Sequence, residues 1–188
     1  MTAITTAVNP IGNFSISKLF STTIQLIGAS LFIAICAQIT LPLFFTPVPL
    51  SLQTFAILLV GGVLGSRKGM MSVLLYLFEG LIGLPFFVGG GSGPAILFGA
   101  TGGYFFGFII QAYLVGWFLE QPKGYSKSKM FAYLISACMI QLILGVLWLG
   151  QLVGWSHVLV MGFYPFIPGE ILKSFCATKY LSSKRLSL

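Results

Sequence analysis

Glu170 and Lys173 are the two residues whose types and spacing best suit the binding of a small polar molecule. They are three positions apart, so on a helix they lie on the same face. Glu170 follows Pro168 and Gly169, and the positive end of a helix dipole favours a carboxylate in the first turn. The residues allow two interpretations. They form an ion pair that fixes the end of a helix, or they bind a ligand with hydrogen-bond donors and an acceptor or anionic group.

Glu79 is a second acidic candidate, because it lies inside an apolar run, residues 74–84. An isolated carboxylate in such a run must find a partner, become protonated or face a polar cavity. The sequence therefore allows a neutral carboxyl packed between helices and bonded to Gln or Tyr. The alternative is a ligand contact.

His157 is the single histidine, and no Cys, Asp or Glu stands beside it at the spacing of a metal site. No Ser–His–acid set or pair of acids stands out, and no glycine-rich loop continues into the Lys-Ser/Thr of a nucleotide site. We therefore expect no metal, no cofactor and no enzymatic activity. The aromatic residues near His157 suit apolar walls around a ligand ring or interfacial anchors; they are Trp155, Phe163, Tyr164 and Phe166.

The composition predicts a protein of the lipid bilayer. Of the 188 residues, 57% are hydrophobic and 7% are charged, whereas a soluble domain carries about 25% charged residues. A membrane-crossing helix needs roughly 20 apolar residues, so six crossings use about 120 residues and leave only short connections. The net charge of +7 does not indicate nucleic-acid binding, because the basic residues mark the ends of apolar runs.

Prolines, glycines and polar stretches divide the chain into six predicted spans. Spans two, three and six are shorter than a lipid-facing helix needs, which predicts a compact bundle. We expect an all-α integral membrane protein, a six-helix transmembrane bundle with short and broken helices. The predicted spans are residues 22–41, 51–64, 70–84, 96–119, 130–152 and 169–181.

The whole chain, residues 1–188, is expected to form a single membrane domain. It would consist of an N-terminal segment at 1–20, the six-helix bundle over about 21–181 and a cytoplasmic tail at 182–188. The first 17 residues contain no Lys or Arg, so a cleaved signal peptide is not expected.

Lysine and arginine mark one side of the predicted bundle. When six spans are threaded through the membrane, nine of the ten basic residues fall on one side, and Lys and Arg favour cytoplasmic connections. We therefore expect a multi-pass protein of the cell membrane with both termini cytoplasmic. Lys173 alone belongs to the opposite half. The other nine are Lys18, Arg67, Lys68, Lys123, Lys127, Lys129, Lys179, Lys184 and Arg185.

Three uncharged connections, residues 42–50, 85–95 and 153–168, lie on the side opposite the basic residues and are rich in proline, glycine and aromatic residues. Irregular backbone at membrane depth is tolerated where it is buried in protein or lines a cavity. We expect these connections to form an outward-facing pocket near Glu79 and Glu170.

Small residues spaced by four indicate helices that approach one another closely in lipid. In the first span, Ser30 and Ala34 form such a step, which either packs within the bundle or presents a groove to another subunit. Two series of glycines have the same spacing: Gly61, Gly65 and Gly69, and Gly99, Gly103 and Gly107.

Four sequence blocks follow one another in a characteristic order. They are PVPLSLQT at 47–54, GLPFF at 83–87 with the glycine run after it, GATGGYFFG at 99–107, and PFIPGEILK at 165–173. Together these blocks resemble the BioY family, the biotin-binding S components of energy-coupling-factor vitamin transporters. The resemblance covers about residues 30–180.

The resemblance implies that the protein captures biotin from outside the cell and delivers it inward. Biotin is then the transported substrate, and the protein lies in the lipid bilayer. The resemblance also implies a coupling transmembrane subunit and paired ATPase subunits, which supply the energy, although some members of the family work alone. The small-residue step by which the family contacts the coupling subunit corresponds to Ser30 and Ala34.

The chemistry of biotin assigns the candidate substrate-binding residues. Biotin has a ureido group with two N–H donors and a carbonyl, an apolar thiophane ring and an anionic valerate chain. Glu170 would accept a hydrogen bond from a ureido N–H, and Lys173 would meet either the ureido carbonyl or the carboxylate. The further candidates are Glu79, Gln53, Tyr104 and Trp148, and the backbone around Thr46, Val48 and Gly90.

Two positions depart from the family pattern. Ala100 stands where the family usually has Pro, and Glu170 where it usually has Asp, which moves the carboxylate outward by one methylene.

Two other functions remain open. One is an S component for another vitamin, such as thiamine or riboflavin, and the other is an intramembrane enzyme that uses Glu79 or His157.

Overall fold

The computed structural model describes residues 16–122 and 126–186. Within these ranges six longer helices form a bundle, and two short helices, a two-stranded ribbon and a 3-10 turn at Val88–Gly90 lie in the connections. The prediction of an all-α, six-helix bundle with short and broken helices is confirmed. In chain order the elements are α1 (Ile16–Gln38), β1 (Thr40–Leu41), β2 (Leu50–Ser51), α2 (Gln53–Leu64), α3 (Ser66–Leu81), α4 (Pro94–Leu97), α5 (Gly102–Glu120), α6 (Lys127–Val153), α7 (Val158–Gly162) and α8 (Ile167–Leu186).

Several helix boundaries differ from the predicted ones. The first helix ends at Gln38 because the next residues pair antiparallel with β2, Thr40 opposite Ser51 and Leu41 opposite Leu50. The fourth predicted span is divided into α4 and α5, since Gly99 lies in a turn between them. The predicted connection at Arg67 and Lys68 is instead the first turn of α3.

The ends of the bundle also differ from the predicted segments. The first helix begins inside the segment predicted at 1–20, and α8 continues into the tail predicted at 182–188. Three segments lie outside the described residues: 1–15, 123–125 and 187–188. Lys123 belongs to the second of them, and the side chain of Arg185 is also outside the described part.

Four helical stretches of the described residues are long and apolar enough to cross a membrane: Ser17–Gln38, Gly102–Glu120, Lys127–Val153 and Val158–Lys184, the last joining α7 and α8. Helix α2 has 12 residues and α3 has 16, which correspond to about 18 and 24 Å of length. Because a bilayer core is about 30 Å thick, these two helices leave space at one end of the bundle, which the connections occupy.

The opposite end of the bundle is the basic end. Lys68 Nζ donates to Gln25 Oε1 at 2.9 Å, which places the N-terminal half of α1 beside the start of α3. The end of α5 reaches the same place, because the Glu120 carboxylate bonds to Ser66. The C-terminal part of α8 joins them through Leu181, which packs on Gly62. The described basic residues other than Lys173 thus gather at the end predicted to be cytoplasmic.

Helix α5 packs against α2, α3 and α6, and glycines permit its close approach. A Cβ atom on Gly103 would lie 2.6 Å from the Leu144 carbonyl oxygen, and one on Gly107 would lie 2.9 Å from Gln141 Cα. On α2, a Cβ atom on Gly61 would lie 2.6 Å from the Ala112 carbonyl oxygen. The glycine spacing therefore does mark helix contacts at these positions, whereas Gly65 and Gly99 lie in turns between helices.

The turn between α2 and α3 consists of Gly65 alone, with φ of 83°. Glu120 completes it: Ser66 N donates to Glu120 Oε1 at 2.8 Å, and Ser66 Oγ donates to Oε2 at 2.7 Å. A carboxylate at this position also suits the positive end of the α3 dipole. The tight connection between the two short helices thus depends on a glycine and a capping acid.

We expect Gly65→Ala to lower the free energy of unfolding by about 1–3 kcal/mol, because its backbone conformation is one that glycine alone adopts readily. Its new Cβ would also overlap the Glu120 carboxylate. Thermal unfolding of the purified protein in detergent measures the change. The matched control is Gly28→Ala, since a Cβ there meets no atom within 4 Å and alanine favours a helix by about 1 kcal/mol. Equal unfolding temperatures for the two variants would contradict this assignment.

Candidate functional site

A cavity of about 420 Å³ lies at the end of the bundle opposite the basic end. All three connections expected to form a pocket contribute to it, together with α2, α4, α5, α6 and α8. Its apolar lining is Pro47, Val48, Pro49, Val88, Ala95, Ile96, Gly99, Ala100, Phe105, Phe108, Leu142 and Phe166. Its polar lining is Ser51, Gln53, Thr54, Thr101, Tyr104, Gln141, Glu170 and Lys173.

Glu170, Lys173 and Thr54 form a closed network of hydrogen bonds in the cavity wall. Lys173 Nζ lies 2.8 Å from Glu170 Oε1. Thr54 Oγ1 accepts from Lys173 Nζ at 2.8 Å and donates to Glu170 Oε1 at 2.8 Å. Glu170 is 1% exposed, Lys173 is 7% exposed and Thr54 is 6% exposed. Both charges are therefore buried, paired and held by a neutral hydroxyl group from a second helix.

The second carboxylate oxygen, Glu170 Oε2, is buried without a hydrogen-bond partner in the part of the chain that the structure describes. Glu170 lies in the first turn of α8, as the sequence indicates. The opposite face of this turn is apolar and exposed, with Ile171, Leu172 and Phe175 on it. The helix thus directs its charges inward, and one carboxylate oxygen keeps an unused acceptor beside the cavity.

Three other predicted site residues line the cavity: Gln53, Tyr104 and Val48. Gln53 Nε2 donates to Tyr76 Oη at 2.7 Å, so a neighbouring helix fixes its amide. The Tyr104 hydroxyl donates a hydrogen bond to the Gly162 carbonyl at 2.8 Å, which joins α5 to α7. The side chains of Gln53 and Tyr104 are therefore held in place at the cavity wall.

The remaining substrate-site candidates do not belong to the cavity lining. Glu79 accepts a hydrogen bond from Ser30 Oγ between α3 and α1. Trp148 Nε1 donates to the Gly99 carbonyl at 2.9 Å and supports a lining residue from behind. Thr46 Oγ1 accepts from the Val48 amide at 3.1 Å, and the Gly90 amide donates to Gln38. Their effect on a ligand would be indirect.

Ser30 and Ala34 are 0% and 6% exposed, so both lie on the inner face of α1. Ser30 bonds to Glu79 across the contact with α3. A contact of these two residues with another subunit would require α1 to separate from α3, and their role as an interface stays a prediction.

Sequence reasoning did not select Thr54 or Gln141 as site residues. Thr54 ends one of the four resemblance blocks, and that was its only signal, because an isolated threonine in a helix has no distinctive pattern. Gln141 stands inside the long apolar run of α6, where a buried amide is costly unless it is paired. Such a position is the kind of signal that marks a functional polar group in a membrane helix.

The aromatic residues near His157 divide between the cavity and the surface. Phe166 is buried and lines the cavity, whereas Trp155 and Tyr164 are exposed. His157 is exposed and lies 2.8 Å from Ser156 Oγ through its Nδ1 atom. Among residues 16–122 and 126–186, no group of three His, Cys, Asp or Glu is placed to hold a metal ion.

Gln38, at the end of α1, holds the connection that covers one side of the cavity. Its Nε2 lies 3.3 Å from the Phe86 carbonyl oxygen and 3.1 Å from that of Phe87. Its Oε1 accepts from the Gly90 amide at 2.8 Å. Val88, which lines the cavity, lies between these attachment points. Gln38 therefore helps to fix this connection, together with Tyr76, whose hydroxyl donates to the Phe86 carbonyl at 3.3 Å.

The sequence model described as the BioY family matches residues 10–186. A relative from Lactococcus lactis subsp. cremoris (strain MG1363), "Biotin transporter BioY2", is 40% identical over 164 residues, which are 86% of this chain and 88% of the relative. "Biotin transporter BioY" from Thermotoga maritima (strain ATCC 43589 / DSM 3109 / JCM 10099 / NBRC 100826 / MSB8) is 36% identical over 153 residues, 79% of this chain and 88% of that protein.

A solved structure has the same architecture. It is a crystal structure at 2.1 Å of the S-component for biotin from an ECF-type ABC transporter, and it matches with a TM-score of 0.78. The match covers 92% of this chain and 94% of that chain, at 27% sequence identity.

We expect Gln38→Leu to release the connection at residues 85–91. The Gly90 amide loses its shorter hydrogen bond, to Gln38 at 2.8 Å, and keeps the one to the Phe87 carbonyl at 3.1 Å. Its hydrogen exchange should therefore become about two- to fivefold faster. Hydrogen-exchange mass spectrometry of a peptide that spans residues 85–91 measures this rate. Gln25→Leu is the control, because Gln25 lies on the same helix but bonds to Lys68 at the basic end. Unchanged exchange in Gln38→Leu would refute the role given to Gln38.

Proposed function

Because the chain belongs to the BioY family, we propose that it takes up biotin. It binds the vitamin within the cell membrane, from the outer side, and delivers it inward as the substrate-binding S component of an energy-coupling-factor transporter. The observation that carries the proposal is the buried network of Glu170, Lys173 and Thr54 in the wall of the cavity.

The lining of the cavity suits the two halves of the biotin molecule. The open acceptor Glu170 Oε2 suits a ureido N–H donor, and Lys173 suits the ureido carbonyl or the valerate carboxylate. Phe105, Phe108 and Phe166 offer apolar surface for the thiophane ring. Mostly apolar walls with a few fixed polar groups are typical of small-molecule sites of this size.

The burial of the network favours tight binding. In a surrounding of low dielectric, hydrogen bonds to charged groups are stronger than in water, and a partner that is missing costs more. Thr54 holds both charged side chains in place before a ligand arrives, so binding needs little ordering of the site. A ligand that supplies the missing donor to Glu170 therefore gains most of the available interaction.

The location of the cavity supports capture from outside. It lies at the end of the bundle away from the lysines and arginines, which favour the cytoplasmic side. We treat residues 1–188 as one membrane domain whose task is binding. A coupling transmembrane subunit and paired ATPase subunits would supply the energy, because the sequence contains no nucleotide-binding loop.

We expect Lys173→Met to weaken biotin binding by about 1.5–3 kcal/mol, since it removes a charged donor and leaves the Glu170 carboxylate without its cation. This change is on the order of 10- to 150-fold in Kd. Calorimetric titration of the purified protein with biotin measures it. Lys179→Met is the matched control, because Lys179 lies on the same helix but is exposed at the basic end. Equal affinities of the Lys173→Met variant and the unaltered protein would reject the site.

The two rival functions give different results with the same preparation. An S component for another vitamin would bind thiamine or riboflavin in competition with biotin, whereas the proposed protein binds biotin alone from such a panel. An intramembrane enzyme would convert its ligand to a product. Mass spectrometry of the ligand after incubation should instead return biotin unaltered.

Uptake into vesicles tests the need for partners. We expect accumulation of labelled biotin when the chain is reconstituted with the coupling subunit, the ATPase subunits and ATP, and much less when the ATPase subunits are omitted. Equal uptake in both preparations would show that the chain works alone.

A further inference from the structure

Two buried acceptors of the cavity lining have no donor. Glu170 Oε2 is one, and Gln141 Oε1 is the other; neither accepts a hydrogen bond from the described residues. Gln141 is 1% exposed, so solvent outside the bundle does not satisfy its carbonyl. A buried carbonyl without a partner is unfavourable, and nearly all buried polar groups in folded proteins are paired.

The position of Gln141 is fixed by its helix contact. It lies on the face of α6 that packs against α5, where Gly107 leaves just enough room for it. A Cβ atom on Gly107 would lie 2.9 Å from both Cα and Cγ of Gln141. The side chain is therefore held beside the cavity by close backbone packing.

Gln111 provides a comparison within the same protein. It is fully buried, and its Oε1 is likewise unpaired among the described residues, but it does not line the cavity. Its Nε2 donates to Cys138 Sγ at 3.2 Å, so it belongs to the packing between α5 and α6. Burial and an unpaired oxygen alone thus do not distinguish the two glutamines, whereas the cavity lining does.

We propose that Gln141 is a second substrate-recognition residue, whose side-chain carbonyl accepts one ureido N–H of biotin while Glu170 Oε2 accepts the other. The proposal rests on the function proposed above and extends it to the orientation of the ligand. A cyclic urea has two N–H donors, and the cavity lining has two acceptors that lack donors. The site would therefore select ligands that carry both N–H groups and reject those that lack either one.

The test compares three ligands: biotin and the two cyclic carbamates in which oxygen replaces one ureido N–H. Each carbamate keeps the shape of biotin but faces one acceptor with a lone pair. In the unaltered protein we expect both carbamates to bind at least about tenfold more weakly than biotin, because each leaves a buried acceptor unsatisfied. Calorimetric titration gives the three Kd values.

Gln141→Met removes the acceptor and keeps a flexible side chain of similar length. We expect it to weaken biotin binding about five- to tenfold. In this variant, the carbamate whose ring oxygen faces position 141 should have a Kd within about threefold of that of biotin. The carbamate whose ring oxygen faces Glu170 should still bind at least about tenfold more weakly than biotin. Gln111→Met is the matched control and should keep the biotin affinity and both discriminations.

The outcomes separate this proposal from the proposed function. An unaltered protein that does not bind biotin overturns both. If it binds biotin and Gln141→Met binds equally well, the role of Gln141 is refuted and the function stands. The role of Gln141 is also refuted if Gln141→Met binds biotin more weakly but still discriminates against both carbamates. Gln141 would then support the fold and accept no hydrogen bond from the ligand. If Gln141→Met does not fold, Gln141→Leu is the second variant. The ratio of each carbamate Kd to the biotin Kd is measured for it in the same way.

Discussion

The arrangement of this protein depends on the burial of one ion pair in a bundle surrounded by lipid. An unpaired charge in such a place is expensive, so Glu170 and Lys173 must face the interior and must be paired. Their position fixes the rotation of α8, because the neighbouring Ile171 and Leu172 then face outward. Thr54 accepts from the amine and donates to the carboxylate, which joins α8 to α2.

The cavity beside this pair is a consequence of helix length and helix breaks. Helices α2 and α3 are short, and α4 and α5 are separated by a turn, so no long helix fills this end of the bundle. Irregular backbone is acceptable at such depth only when its polar groups are satisfied by protein or face a cavity. Gln38, Trp148 and Tyr104 meet this requirement, since each bonds to a backbone carbonyl of the connections.

Polar side chains inside the bundle therefore serve two different purposes. Those bonded to a neighbouring helix, such as Gln53 to Tyr76, hold the shape of the cavity. Glu170 and Gln141 each keep a buried acceptor to which no described residue donates, and in the proposed site these acceptors meet the ligand. An unpaired polar group is costly in a low-dielectric surrounding, so a ligand that completes its hydrogen bonding gains binding free energy.

Composition and local pattern by themselves determined the membrane class, the six helices, the basic end and the shared face of Glu170 and Lys173. These features follow from the number of apolar residues, the positions of breakers and the period of a helix, all of which are local. Only the tertiary structure decided that Thr54, 116 positions from Glu170, completes the ion pair. It also decided that Glu79 bonds to Ser30 and that Gln141, but not Gln111, lines the cavity. These facts depend on which faces of distant helices meet, and the apolar runs of this chain are too uniform to specify those faces.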